Sequence, residues 1–129
     1  MGAEFTFYDF LDGNGANIVH VWLGNIPKGA KAKFNKWLRH LEATPPGLWK
    51  RPLVETLDGY CAGLFEVRVS LSTQQFRILG AHRADRTPTL LHCFIKPGED
   101  VPHADCDEAN SRKAALQNDP KRRVKHDYK

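Results

Sequence analysis

Residues 64–71 read LFEVRVSL and residues 75–81 read QFRILGA, with only Ser72-Thr73-Gln74 between them. In the first run Phe65, Val67, Val69 and Leu71 fall on one side and Leu64, Glu66, Arg68 and Ser70 on the other, the period of two that marks a half-buried strand. The second run repeats it, with Phe76 and Ile78 on one side and Gln75, Arg77 and Leu79 on the other. So short a connection is a hairpin turn, and the two runs are expected to pair antiparallel. TLLHCFIK, residues 89–96, supplies a third apolar strand after a turn at 84–88 and completes a meander.

Upstream the period changes. Phe34, Trp37, Leu38 and Leu41 recur at helical spacing after Pro27, which suits a first helical turn, and Pro45-Pro46-Gly47 stops them. The other flank of this helix carries Lys31, Lys33, Lys36, Arg39 and His40. Before it, Val19, Trp22, Leu23 and Ile26 sit at i, i+3, i+4 and i+7, which favours a short helix over the strand that the β-branched residues suggest. EFTFYDFL, residues 4–11, predicts an N-terminal strand ended by the turn Asp12-Gly13-Asn14-Gly15. Downstream, Pro97-Gly98 breaks the third strand. Residues 101–118 then have helix composition, with Asp105, Asp107 and Glu108 early and Arg112 and Lys113 later, the order a helix dipole favours. Residues 119–129 hold Lys121, Arg122, Arg123, Lys125 and Lys129 and predict an exposed basic tail. The order implies one α+β domain over residues 1–118: a twisted antiparallel sheet of an N-terminal strand plus the meander, with N-terminal helices and a C-terminal helix packed on it. Helices on one face of such a sheet leave the other available.

Composition narrows the function. At 129 residues, with 41% hydrophobic and 26% charged residues, the chain suits one compact domain and is neither disordered nor low-complexity. Its apolar runs fall far short of the roughly 20 residues that span a bilayer, so no membrane partner is expected. Residues 1–5 show no secretory signal, which makes the cytoplasm the expected location. Cys61, Cys93 and Cys106 form no Cys-x-x-Cys pair, which argues against a disulfide framework and against a zinc site, and reduced thiols are expected. A net charge of +4 is mild for a nucleic-acid binder, so the placement of the cations matters more than their sum.

Taken in order, Gly24-Asn25-Ile26-Pro27 before a Lys-rich helix, Arg51-Pro52-Leu53 with Leu57 and Gly59, Leu64-Phe65-Glu66-Val67-Arg68-Val69, Phe76-Arg77-Ile78, Leu90-Leu91-His92-Cys93-Phe94-Ile95-Lys96, and Pro102 with Ala109 and Arg112 form a pattern. It resembles the phage-derived, HigB-like branch of the RelE/ParE toxin superfamily over roughly residues 16–118. The resemblance implies a small RelE-like α+β fold and the role of toxin in a type II toxin-antitoxin pair, with a cognate helix-turn-helix antitoxin as partner. HigB-like and RelE-like members cut messenger RNA, commonly on the ribosome and without a metal or other cofactor, whereas ParE-like members poison gyrase. Three features depart from the pattern: Pro97 follows Lys96 where a second lysine is usual, Tyr60 to Leu64 are extra residues before the strand, and a Gly-rich turn follows the N-terminal strand while the residues past 118 have no counterpart.

Metal-independent RNA cleavage requires a deprotonated 2′-hydroxyl, a stabilised pentacovalent phosphate and a protonated leaving oxygen. Arg68 and Arg77, on adjacent strands and opposite the apolar set, are expected to converge on one phosphate, to which a guanidinium fork is matched. The alternative is that Arg68 pairs with an acid such as Glu66 on a solvated face. His92, assigned to the side of the third strand that holds Leu90 and Phe94, is a candidate proton shuttle or a hydrogen-bonded core residue. Lys96 at the strand end is a candidate phosphate contact, and Lys31, Lys36, Arg39 and Lys125 are candidate RNA contacts. The family's alternatives, a gyrase-directed toxin or a non-catalytic module that binds nucleic acid or antitoxin, share this fold.

Overall fold

The computed structural model describes residues 5–50 and 52–129. Glu4 of the expected first strand and Arg51 of the Arg-Pro-Leu motif lie outside the described residues. The chain forms β1 (Tyr8–Phe10), α1 (Ile18–Asn25), α2 (Lys28–Glu42), β2 (Val54–Thr56), β3 (Phe65–Leu71), β4 (Gln74–Ala81), β5 (Thr89–Ile95), α3 (His103–Asn118) and β6 (Arg123–Lys125), with single 3-10 turns at Pro46–Leu48 and Gly59–Cys61. This is an α+β fold built on one open sheet in the order β2-β3-β4-β5-β1-β6.

The meander forms as the alternation predicts. Arg68 pairs with Arg77 and Val67 with Ile78, and Leu71 meets Gln74 across a two-residue turn in which Ser72 takes a positive φ of 56°. The sheet is mixed rather than wholly antiparallel, because β1 runs parallel to β5 through Tyr8–Thr89 and Asp9–Leu90. Parallel pairing needs a long crossover, and α1, α2 and the hairpin together provide it.

Helices lie on both faces, where the sequence pointed to one. Phe65, Val67, Phe76, Ile78 and Leu90 join Val19, Leu23, Ala30, Phe34 and Leu38 of α1 and α2 in one core. Leu64, Leu79, Ala81, Leu91 and Phe94 join Cys106, Ala109 and Leu116 of α3 in the other. Both helix starts follow the local chemistry: the Asn17 side chain caps α1 by accepting from the His20 amide at 2.9 Å, and Pro27 ends α1 and precedes the first turn of α2. Gly80 sits at a register shift opposite Leu90, where a Cβ would come within 2.6 Å of the Phe65 ring and 2.8 Å of the Thr89 carbonyl, so the strands can close up only on glycine.

Residues 119–129, expected as an exposed tail, supply part of the fold instead. Residues 123–125 form β6 antiparallel to β1, and His126 beyond it is buried. Its Nδ1 lies 2.8 Å from Asp9 Oδ1 and its Nε2 2.9 Å from Asn35 Oδ1, while Asn35 Nδ2 donates to the Tyr128 carbonyl at 3.2 Å. The partners of His126 sit more than ninety residues upstream, a pairing no local pattern could announce. A second correction concerns the thiols: Cys61 and Cys106 form a disulfide with a Cα separation of 5.5 Å, tying the 59–61 turn to α3, and Cys93 alone is free.

Candidate functional site

The site grows from the uneven length of the sheet on the α3 side. α3 covers the end holding Leu64, Leu79 and Leu91. The other end, where Glu66, Arg68 and Ser70 of β3 face Gln75 and Arg77 of β4, is left without a helix, and a row of polar side chains lines it. On the outer edge β2 pairs with β3 only as far as Val67; beyond it the Arg68 amide donates to the Leu53 carbonyl at 2.9 Å and Lys33 Nζ to the Ser70 carbonyl at 3.1 Å.

Arg68 and Arg77 do meet across the strands, as expected. They differ sharply in burial. Arg77 is 2% exposed; Nη1 donates to the Phe76 carbonyl and Nη2 to Gln75 Oε1, both at 2.9 Å, and Nε lies 3.6 Å from Glu66 Oε2. Burial pulls its pKa down from the ordinary value, Glu66 opposes that shift, and Arg68 adds to it. Arg68 is partly exposed, 3.4 Å from Glu55 Oε2 and 3.8 Å from Glu66 Oε1. The acid pairing weighed for Arg68 is therefore present, with Glu55 as an additional partner from β2. Glu66, 1% exposed, stands between both guanidinium groups, and its Oε2 has no hydrogen-bond partner.

Three clefts touch this row: one, of about 330 Å³, lies toward Lys33 and Trp37 of α2, and the other two meet at Lys96. Of these two, one, of about 460 Å³, is lined by Arg68, Gln75, Arg77, Lys96, Gly98 and Glu99, so three cations face one carboxylate. The other, of about 390 Å³, shares Arg68, Lys96 and Glu99 and runs past Glu55, Glu66, Asp58 and Asp100 to Tyr60 and His103. A cation-rich chamber thus adjoins an acid-rich one through shared walls. Lys96 is held at the junction, its amide donating to the Gln75 carbonyl at 2.7 Å.

His92 lies outside these clefts. Because the register shift moves β5 by one residue, Leu90 belongs to the core under α1 and α2, whereas His92 pairs with Leu79 on the α3 side, so Leu90 and His92 do not share a face as expected. Arg112 donates to His92 Nδ1 at 3.0 Å and to the Leu91 carbonyl at 3.0 Å. A guanidinium has only donors, so Nδ1 accepts and Nε2–H donates to Asp105 Oδ1 at 2.7 Å. The ring is spent on holding α3 to the sheet.

The candidate RNA contacts of α2 lie apart from the clefts. Lys36 Nζ stands 5.1 Å over the Trp37 ring, and Arg39 lies 4.6 Å over the ring of Tyr128. Lys31 is partly exposed, and Lys125 projects from β6 at the far edge of the sheet. Glu55, Tyr60 and His103 escaped the reading of the sequence: Glu55 comes from a three-residue strand and Tyr60 from a single turn, neither with a periodic signal, and His103 stands at the first residue of α3. Among the described residues no group of three His, Cys, Asp or Glu side chains is placed to hold a metal ion, and no helix is long and apolar enough to cross a membrane.

A six-stranded mixed sheet with three helices and a polar cleft on its open end is consistent with a RelE-like fold, which defines the class as small toxin-like α+β proteins. Residues 21–114 match the family described as phage derived protein Gp49-like (DUF891), and the chain belongs to that family, one of the RelE/HigB-type toxins in general. No curated protein matches the chain.

Proposed function

We propose that this protein is the toxin of a type II toxin-antitoxin pair and that it acts in the cytoplasm as an endoribonuclease on messenger RNA at the ribosome. The observation that carries the reading is the chamber in which Arg68, Arg77 and Lys96 outnumber the single carboxylate of Glu99. Charged donors fixed on a sheet before substrate arrives stabilise the extra negative charge of an in-line phosphorane without reorganising. Arg68 and Lys96 are the contacts for the phosphate oxygens. Arg77, held by two backbone or amide acceptors, keeps Glu66 and through it Arg68 in position. Glu55, at 3.4 Å from Arg68, is the carboxylate best placed beside that phosphate to take the 2′-hydroxyl proton. His92 has no part in this chemistry, because both of its nitrogens are engaged.

The reading requires an antitoxin, and the cationic flank of α2, with Lys31, Lys36 and Arg39, suits an acidic segment of a helix-turn-helix partner. Adding the purified protein to a translating extract and mapping messenger ends tests the activity. Cleavage by the wild type that falls at least a hundredfold in Arg68→Ala and Lys96→Ala supports it. Intact messenger together with lost gyrase supercoiling would favour the gyrase-directed alternative.

A further inference from the structure

Tyr60 is 54% exposed, yet it is held firmly. Its ring lies on the His103 imidazole with centroids 3.8 Å and planes 16° apart, and its hydroxyl donates to Asp107 Oδ1 at 2.6 Å. The residues next to these partners, Cys61 and Cys106, are joined by the disulfide. Stack and hydrogen bond together fix an aromatic step that stays largely open to solvent. Tyr60 belongs to neither hydrophobic core, so the folded state makes little use of its area.

The step forms one wall of the acid-rich cleft, whose other wall includes Arg68 and Lys96. Asp58, Glu99 and Asp100 line that cleft with no partner among the described residues. Buried Glu66, with one oxygen lacking a hydrogen-bond partner, lies in its lining as well. Such a lining repels phosphate and welcomes hydrogen-bond donors. Single-stranded RNA is read by stacking a splayed base on an aromatic side chain and bonding its Watson–Crick edge. Only guanine among the four bases presents two adjacent donors there, the ring N–H and the 2-amino group, and these match the two oxygens of one carboxylate.

We propose that the Tyr60–His103 step stacks a nucleobase beside the phosphate held by Arg68 and Lys96, and that the carboxylates of the same cleft select guanine. The proposal rests on the RNA-directed reading above for its ligand but not on cleavage.

The test measures anisotropy of fluorescein-labelled 2′-O-methyl hexauridylates carrying one central guanine, inosine or adenine, which bind but cannot be cut. The full chain is expected to hold the guanine oligonucleotide about tenfold more tightly than the other two, inosine failing because it lacks the 2-amino group. Tyr60→Ala should weaken guanine binding by about tenfold, the loss of a base–aromatic stack, while Tyr60→Phe keeps most of it. Glu99→Gln with Asp100→Asn should erase the guanine preference without weakening the adenine oligonucleotide. Equal binding of the three oligonucleotides, an unchanged Tyr60→Ala variant, or a preference that survives the double amide substitution overturns the proposal. Guanine selection with intact messenger in the translation assay sinks the nuclease reading and leaves this one standing.

Discussion

Replacing Arg77 with alanine would strand the Glu66 carboxylate. Glu66 is 1% exposed, and its second cationic neighbour, Arg68 Nε, is 3.8 Å away and partly in solvent. Breaking a buried ion pair from one side costs about 3–5 kcal/mol, because the remaining charge is left without compensation. At this chain length a kilocalorie moves the midpoint by about 3–4 °C, so the variant should melt on the order of 10–20 °C below wild type. Arg68→Ala removes a partly exposed contact and should cost less than about 1 kcal/mol. Removing both partners, Glu66→Gln with Arg77→Met, should recover most of the loss, since well-packed neutral groups replace a buried pair at little cost. Urea unfolding followed by tryptophan fluorescence gives all four values. An Arg77→Ala variant within 1 kcal/mol of wild type, or an Arg68→Ala variant equally damaged, would refute the division between an anchoring and a substrate-facing arginine.

Four further outcomes follow from the packing. Thiol titration of the unfolded, unreduced protein should find one reactive group per chain, Cys93, and three after reduction; the bridge closes a 45-residue separation, so reduction should cost about 4 kcal/mol if loop entropy dominates. In the folded state Cys93 should react slowly with thiol reagents, because burial pushes its pKa well above the ordinary value. His126→Ala should destabilise by about 1–3 kcal/mol in the same urea assay, as it leaves Asp9 Oδ1, on a side chain that is 0% exposed, without its His126 hydrogen-bond partner. His82 packs against Trp49 and Phe65, and this apolar contact holds its pKa below the ordinary 6.5. The unfolded chain therefore takes up that proton first, so the contribution is intact above pH 6.5 and is lost as pH falls toward the folded value. His82→Gln should flatten that decline in stability measured between pH 7 and 5.

What the sequence revealed, and what it hid, divides by distance along the chain. Alternation in 64–71 and 75–81 located the hairpin and put Arg68 and Arg77 on neighbouring strands, but did not set its register: Gln74, read as part of the turn, opens β4 and pairs with Leu71. Helical spacing located α1 and α2, whose caps lie within a few residues of their ends. Burial of the polar face was not legible: Arg77 looks solvent-facing in an alternating strand, and only the fold shows that Glu66, Gln75 and two backbone carbonyls enclose it. His92 was assigned its neighbours by a strict period of two, which the shift at Gly80 breaks. The last residues read as solvated because their charges are local, whereas the partners of His126 are Asp9 and Asn35. The Cys61–Cys106 bridge escaped counting arguments for the same reason, joining a single turn to a helix start.

The account stands on the cation-rich chamber acting on an RNA backbone, and the mapping of messenger ends in a translating extract tests this most directly. Discrete new 5′ ends with wild-type protein, reduced at least a hundredfold by Arg68→Ala at unchanged folded stability, are the predicted result. Uncut messenger, or cutting that Arg68→Ala and Lys96→Ala leave untouched, would contradict it.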